Sequence, residues 1–336
     1  MSFQRPIKNL DGLHDPSFLL PTMASPPAKR PRTENVLITC SDIWYRDGSV
    51  VLQAGDTQFR VHWTVLEQNS PFFRAMQGLP QPPDQPTVEG CPVVELPDDA
   101  EDVRYLLKAL YSPTFLMQKT LPFPAVAALI RLGRKYDFRE ILDATVERVT
   151  FENPTTLEEF PSGKYNPTRI DYHPGLVFDM ITLIRENNIL SALPCAYYRA
   201  ILFHSVNIID GIPREDGTLA ALASIDQRRC GLAREKLIKT QLKTGYTIGW
   251  LRDQGRADCT NTSSCDAKRT EILYHYLDIL NLWALGRIAQ ATMGKSLCEA
   301  CRKHAIESNE SGRKKLWEEL PSFFELPPWN ELKNDL

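Results

Sequence analysis

No stretch of the 336-residue sequence approaches the roughly 18 consecutive apolar residues that a membrane-crossing helix needs, so no membrane span is expected. The first 20 residues, MSFQRPIKNLDGLHDPSFLL, lack a charged start followed by an apolar core. No secretory signal is expected, and the chain is read as intracellular, cytoplasmic or nuclear. An excess of positive charge is also missing. With 39 Lys and Arg against 42 Asp and Glu, the net charge is −3, which argues against non-specific coating of nucleic acid. Eight cysteines are too few for a disulfide scaffold. In a reducing compartment, thiols clustered in sequence read as metal ligands before they read as bridges.

Sequence motifs for catalysis are absent too. There is no G-x-G-x-x-G, G-x-S-x-G or H-E-x-x-H. Gly294-Lys295-Ser296 ends like a phosphate-binding loop, but Ala289 stands where the loop needs its first glycine. The six histidines are scattered, without a nucleophile or carboxylate partner at motif spacing. No catalytic residue is assigned, and the chain is read as not an enzyme. No repeat of fixed period appears.

What is there divides the chain into three parts. Residues 1–38 include PTMASPPAKRPRTEN, rich in proline and charge, and read as a disordered tail. Lys29, Arg30 and Arg32 within it read as a nuclear localisation signal or as a solvated basic cluster. Residues 39–152 mix strands and helices. Asp47-Gly48, between Ile43–Arg46 and Ser49–Leu52, predicts a two-residue hairpin, and Phe59 and Val61 alternate with polar residues. The expectation is a short antiparallel meander over 40–62. Ser70-Pro71 predicts an N-cap and first residue of a helix, with Phe72, Phe73 and Met76 as its apolar face. Val65, Leu66, Leu106, Leu107 and Leu110 are read as core. Residues 78–92 are proline-rich loop, and 93–96 a short strand. Helices are expected from Asp98-Asp99, from Pro122-Phe123-Pro124, and over 139–149. Residues 153–336 read as mostly helical, with helices near 174–188, 194–206, 218–243, 269–285, 286–308 and 311–320.

The order of these features over 41–150 resembles a BTB/POZ domain. It is carried by Ser41-Asp42-Ile43, Phe59-Arg60-Val61-His62, Val65-Leu66 and Ser70-Pro71-Phe72-Phe73. Val94-Glu95-Leu96-Pro97-Asp98, Leu107 and Leu110-Tyr111-Ser112-Pro113 follow. Leu132-Gly133-Arg134-Lys135-Tyr136-Asp137 stands in place of the family's Leu-Ala-Asp-Lys-Tyr. The resemblance implies an α+β fold, a short three-stranded sheet packed with helical hairpins, followed here by a mostly α-helical C-terminal region. It implies a non-catalytic protein–protein interaction module, acting through a homodimer or association with another BTB protein. Its signature positions are Asp42, Phe59, His62, Leu66, Ser70 and Phe73. Asp42 and His62 are read as hydrogen-bonding within the fold. Some BTB proteins dock a cullin of a ubiquitin ligase through a hydrophobic-x-Glu element. Here Leu79 stands at the apolar place and Gln81 where the Glu would be, among prolines. A cullin adaptor and a nuclear transcription or chromatin regulator are the alternatives to plain self-association.

Four cysteines fall in the last 78 residues, as Cys259-x5-Cys265 and Cys298-x2-Cys301. Two close pairs are a common way to supply the four tetrahedral ligands of zinc. The second pair has a common zinc spacing, while the first lies in a polar stretch, DCTNTSSCD, read as a loop. His304 is an alternative fourth ligand and His275 a weaker one. The competing reading is four ordinary buried thiols. If zinc binds, it is structural, because all four positions are filled by protein. The order Trp250, Cys259, Cys265, Cys298, Cys301, Arg313, Trp317-Glu318-Glu319-Leu320-Pro321, Phe324, Leu326-Pro327, Trp329 and Leu332 resembles the C-terminal region of fungal BTB-domain proteins, especially mushroom-type ones.

Two further features carry less. Residues 228–256 hold eight Lys/Arg and two acids, with Lys236, Lys239 and Lys243 on one helical face and Leu232 and Leu242 on the other. The stretch reads as a solvated face, or as a patch for an acidic partner; nucleic acid is not the expected partner. Asn261 and Asn309 begin N-x-S sequons, which have no weight in a chain that is not secreted.

Overall fold

The computed structural model describes residues 38–78, 84–160, 166–254, 256–279, 282–288 and 297–335. Lys29, Arg30, Arg32 and the 1–38 tail but for Ile38 lie outside the described residues, as do Leu79 and Gln81. Among the described residues, no helix is long and apolar enough to cross a membrane.

The first half builds a sheet. Strands β1 (Thr39–Trp44), β2 (Val50–Ala54) and β3 (Thr57–Val61) precede helices α1 (Trp63–Asn69) and α2 (Pro71–Gln77). Then come β4 (Thr87–Val88) and β5 (Cys91–Leu96). The sheet has five strands, in the order β1-β3-β2-β5-β4. Both the strand count and the meander therefore need correction. The hairpin lies at β2–β3, where Gly55 takes φ +56°, and not at Asp47-Gly48. β1 runs parallel to β3, so the Asp47-Gly48 turn carries the chain past β3 to its far side. Turn chemistry reverses the chain here without choosing which strand it pairs with.

Helices α3 (Ala100–Tyr111), α4 (Pro113–Leu116), α5 (Phe123–Lys135) and α6 (Arg139–Glu152) cover the sheet. Asp99 caps α3 by accepting from the backbone N–H of Glu101 at 2.9 Å. The apolar stripe of α5 (Val126, Leu129, Ile130, Leu132) is buried, each side chain contributing roughly 1.5–3 kcal/mol. Asp137, at φ +54°, breaks the chain between α5 and α6. Phe72 departs from expectation: it is 41% exposed, whereas Phe73 is 1% exposed. Adjacent helical residues point about 100° apart, and on this short helix Phe73 takes the inward direction while Phe72 is left towards solvent. Val65 and Leu110 are half-buried.

The segments that carried the resemblance converge on Tyr136. Ser70 Oγ donates to the Tyr136 carbonyl at 2.5 Å and accepts from Phe73 N at 3.1 Å, capping α2. The Tyr136 hydroxyl and Lys135 both reach Asp98, the latter at 2.6 Å. Ser70 is fully buried, so Ser70→Ala strands a buried carbonyl and removes a cap. A loss of about 1–3 kcal/mol is expected in denaturant unfolding of the full chain. Arg134, where the family has Asp, donates to the Asn187 carbonyl at 2.6 Å and pairs with Asp335 at 3.1 Å. That departure fastens the C-terminal end to α5.

The second half comprises α7 (Leu176–Glu186), α8 (Leu193–Phe203), a hairpin of two short strands, β6 (Ile212–Pro213) and β7 (Leu219–Ala220), and α9 (Ser224–Thr240). Helices α10 (Thr262–Ile279) and α11 (Glu299–Phe323) follow. Most buried apolar side chains of the sheet, of α3, α5 and α6, and of α7 to α9 and the end of α11 form one cluster, running from Val50 to Phe324, while Val51, Cys91 and Val93 form a small one apart. α9 buries Asp226, Cys230, Ala233, Leu237 and Thr240, and Leu232 is 37% exposed rather than inward. The two helices expected over 286–308 and 311–320 are a single helix in their described part, and residues 286–288 are not helical. Gly312 does not end it, because there the glycine serves a close approach: a Cβ would lie 2.3 Å from Thr247 N.

Candidate functional site

A second, separate core forms around Ile248, Trp250, Leu251, Cys265, Ile272, Tyr276, Leu297, Cys301 and Ala305. Both distal pairs of cysteines sit in or against it. Cys259 lies just before α10, and Cys265 lies within the first turn of that helix, so the DCTNTSSCD stretch is half loop and half helix. Asn261 Oδ1 accepts from Ser264 N at 3.3 Å and starts the helix between the two thiols. Cys298 is the N-cap of α11, and Cys301 is in its first turn. Two helix N-termini therefore meet, each bringing one cysteine inside the helix and one just outside.

The four sulfurs all lie within 4.8 Å of one another, and Cys298 Sγ is 3.9 Å from Cys259 Sγ. Zn–S bonds of about 2.3 Å in a tetrahedron place sulfurs roughly 3.8 Å apart, so a small contraction seats the ion. None of the four is in a disulfide, whose sulfurs would lie at about 2.05 Å. Backbone donors point at the sulfurs. Cys298 N donates to Cys265 Sγ at 3.2 Å. The N–H groups of Cys301 and Thr260 reach Cys298, holding its thiol down to about 5. Burial pushes the Cys265 and Cys301 thiols up. Four thiolates this close repel one another, and a dication resolves the conflict by favouring the ionised form of all four. The donor set is soft, fourfold and complete, which suits a metal held for structure.

The two histidines weighed as ligands stand outside the four-sulfur group. His304 Nε2 lies 2.9 Å from Asp253 Oδ2, and His275 is exposed beside the Tyr276 ring. Arg269, which sequence reasoning missed, is 1% exposed and donates from Nη1 to Cys301 Sγ at 3.4 Å. Its signal was available in the periodicity. Cys265, Arg269, Ile272 and Tyr276 fall at i, i+4, i+7 and i+11, one inward stripe of α10.

The positions marked by the BTB resemblance sit apart from this centre. Phe59, Leu66, Ser70 and Phe73 are buried in the main core. Asp42 accepts from Ser41 Oγ at 2.9 Å and pairs with Arg104, and these hold its carboxyl below the usual range. His62 donates its backbone N–H to the Tyr111 hydroxyl at 2.8 Å, and its ring lies 3.2 Å from Asp47. In the basic stretch, Arg228 pairs with Glu325 at 2.7 Å and Arg256 with Asp258 at 2.8 Å, while Lys236 and Lys243 are exposed. Asn309, a sequon residue, is 2% exposed: its amide donates to the carbonyls of Thr247 and Gly286 at 3.1 and 3.2 Å. A cleft of about 830 Å³ lies between the start of α5 and the β6–β7 hairpin. His173 and Arg214 both bind Asp179, at 2.8 and 2.5 Å.

Compared with known families, residues 47–150 match the model of the BTB/POZ domain. No curated protein matches the chain. The chain thus carries a BTB/POZ domain, a short sheet with helices, followed by a helical C-terminal region. Such domains are, in general, protein-interaction modules.

Proposed function

We propose that the protein works by association, its BTB/POZ domain joining two copies of the chain or this chain to another BTB protein. In the same reading, Cys259, Cys265, Cys298 and Cys301 hold one structural zinc ion that shapes the C-terminal half. The observation that carries the first part is the family match over 47–150; for the second it is four sulfurs within 4.8 Å. The alternatives are adaptor to a cullin and nuclear regulator. Their sequence signals, Leu79 to Gln81 and Lys29 to Arg32, lie outside the described residues.

Light scattering on the full-length protein at micromolar concentration tests association. A mass of twice 38.2 kDa is expected for a homodimer. A strictly single-chain mass that added BTB partners do not change overturns it. Retention of a cullin by the tagged chain would turn the reading to the adaptor. Metal analysis of protein purified without chelator tests the second part, with one zinc per chain expected.

A further inference from the structure

We infer that Arg269 is the counter-charge of the tetrathiolate centre, a residue that ligates nothing yet sets how tightly the metal is held. The inference rests on the reading that the four thiols carry zinc.

A guanidinium 1% exposed in a small apolar core needs a reason. Burying a cation is costly unless charge and hydrogen bonds are met on every side. Asp266, one residue after Cys265, meets one side: it pairs with Nη2 from the rim, its side chain 28% exposed. The other side of the fork points inward, with Nη1 on Cys301 Sγ at 3.4 Å. Nε is buried and has no acceptor among the described residues. A neutral thiol is a weak acceptor and leaves this cation poorly matched. A metal-bound thiolate carries charge, and its bond to a guanidinium is of the stronger, charge-assisted kind. Zinc with four thiolates has a formal charge of −2, and Arg269 reduces it to −1 within a nonpolar surround. Of two further arginines near Cys301, Arg256 is turned to Asp258 at 2.8 Å and Arg302 to Glu299 at 2.6 Å. His304 is turned to Asp253.

The electrostatic sign follows from the chemistry of loading. A dication displaces the thiol protons, so the centre becomes more negative when filled. A neighbouring cation therefore tightens binding, and a neighbouring carboxylate loosens it. Neutralising Arg269 and neutralising Asp266 should then act in opposite directions, although the two are partners in one ion pair. A purely structural pair behaves otherwise, since breaking it from either side harms the fold and weakens binding both times.

The test is zinc and cobalt affinity of the full-length chain, read by competition with a chromophoric chelator. Cobalt spectra report the ligand set. Arg269→Met is expected to bind 10- to 100-fold more weakly, the range for supporting partners of metal ligands, with the four-sulfur cobalt spectrum retained. Asp266→Asn is expected to bind several-fold more tightly. Wild-type affinity in R269M, or weaker or unchanged binding in D266N, overturns the inference. If R269M does not fold, D266N alone decides by its sign, because its carboxylate stands at the rim. A wild-type protein that takes up neither metal defeats the zinc reading itself, a result visible before any variant is made.

Discussion

Stripping the metal with a strong chelator, or replacing Cys298 and Cys301 together with serine, is expected to unfold the small core around Trp250 and spare the main one. Among the described residues the small core has nine buried apolar members, far fewer than a self-supporting unit needs. Metal binding contributes about 10–16 kcal/mol in small zinc modules that fold as they load, more than a core of this size supplies. The consequence should travel along α11. Cys301 and Ala305 belong to the small core, while Leu316, Trp317, Leu320 and Phe323 of the same helix belong to the main one. The helix is expected to fray from its N-terminus up to the turn at Asn309, where its amide holds the carbonyls of Thr247 and Gly286. Hydrogen exchange measures this directly. Amides of 264–276 and 301–308 should lose protection on chelation, while those of 126–132 keep it. Unchanged exchange across 301–308 would mean that the centre holds nothing.

Gly312→Ala is expected to cost stability where the same change in an open helix adds it. Alanine is ordinarily favoured over glycine inside a helix by roughly 0.8–1 kcal/mol. At Gly312, the added methyl would lie 2.3 Å from Thr247 N, 2.3 Å from Tyr246 C and 2.8 Å from Thr247 Cα. These are backbone atoms, so no rotamer change relieves the clash. Either α11 or the 246–249 turn must shift. Arg313, fully buried beside Gly312, would lose its 2.9 Å bond to the Leu285 carbonyl if the helix moved. A loss of about 2–4 kcal/mol is expected, from overpacking together with the hydrogen bonds that the shift breaks. Gly231→Ala provides the contrast. It lies in α9 with nothing within 4 Å of the added methyl, and a gain of about 0.5–1 kcal/mol is expected there. Denaturant midpoints of the two variants against the parent chain measure both signs. If both changes stabilise, α11 does not press against the turn.

Much of this molecule is legible in its sequence. The stripes of α3 and α5, the Ser70 and Asp99 caps and the break at Asp137-Phe138 are local matters of period and capping, and a single chain displays them. The spacing of the BTB segments was visible as well, and their meeting at Tyr136 shows why they come in that order. So was the pairing of cysteines by number. Other features depended on what arrives from far away in sequence. β1 lies parallel to β3 because it adds to the free edge of the β2–β3 hairpin, a choice made by neighbours and not by Asp47-Gly48. α11 runs through Gly312 because the 246–247 backbone needs the space that glycine leaves. His304 stands outside the four-sulfur group, with Nε2 on Asp253, 51 residues away. Phe72 and Leu232 lie outward because the burial of an apolar side chain depends on the surface opposite it. The sequence by itself determined helices, turns, and which thiols come in pairs, since each rests on contacts within a few residues. Only the tertiary structure decided strand partners, the convergence of two thiol pairs 33 residues apart, and the buried arginine between them, because all of these rest on packing across long separations.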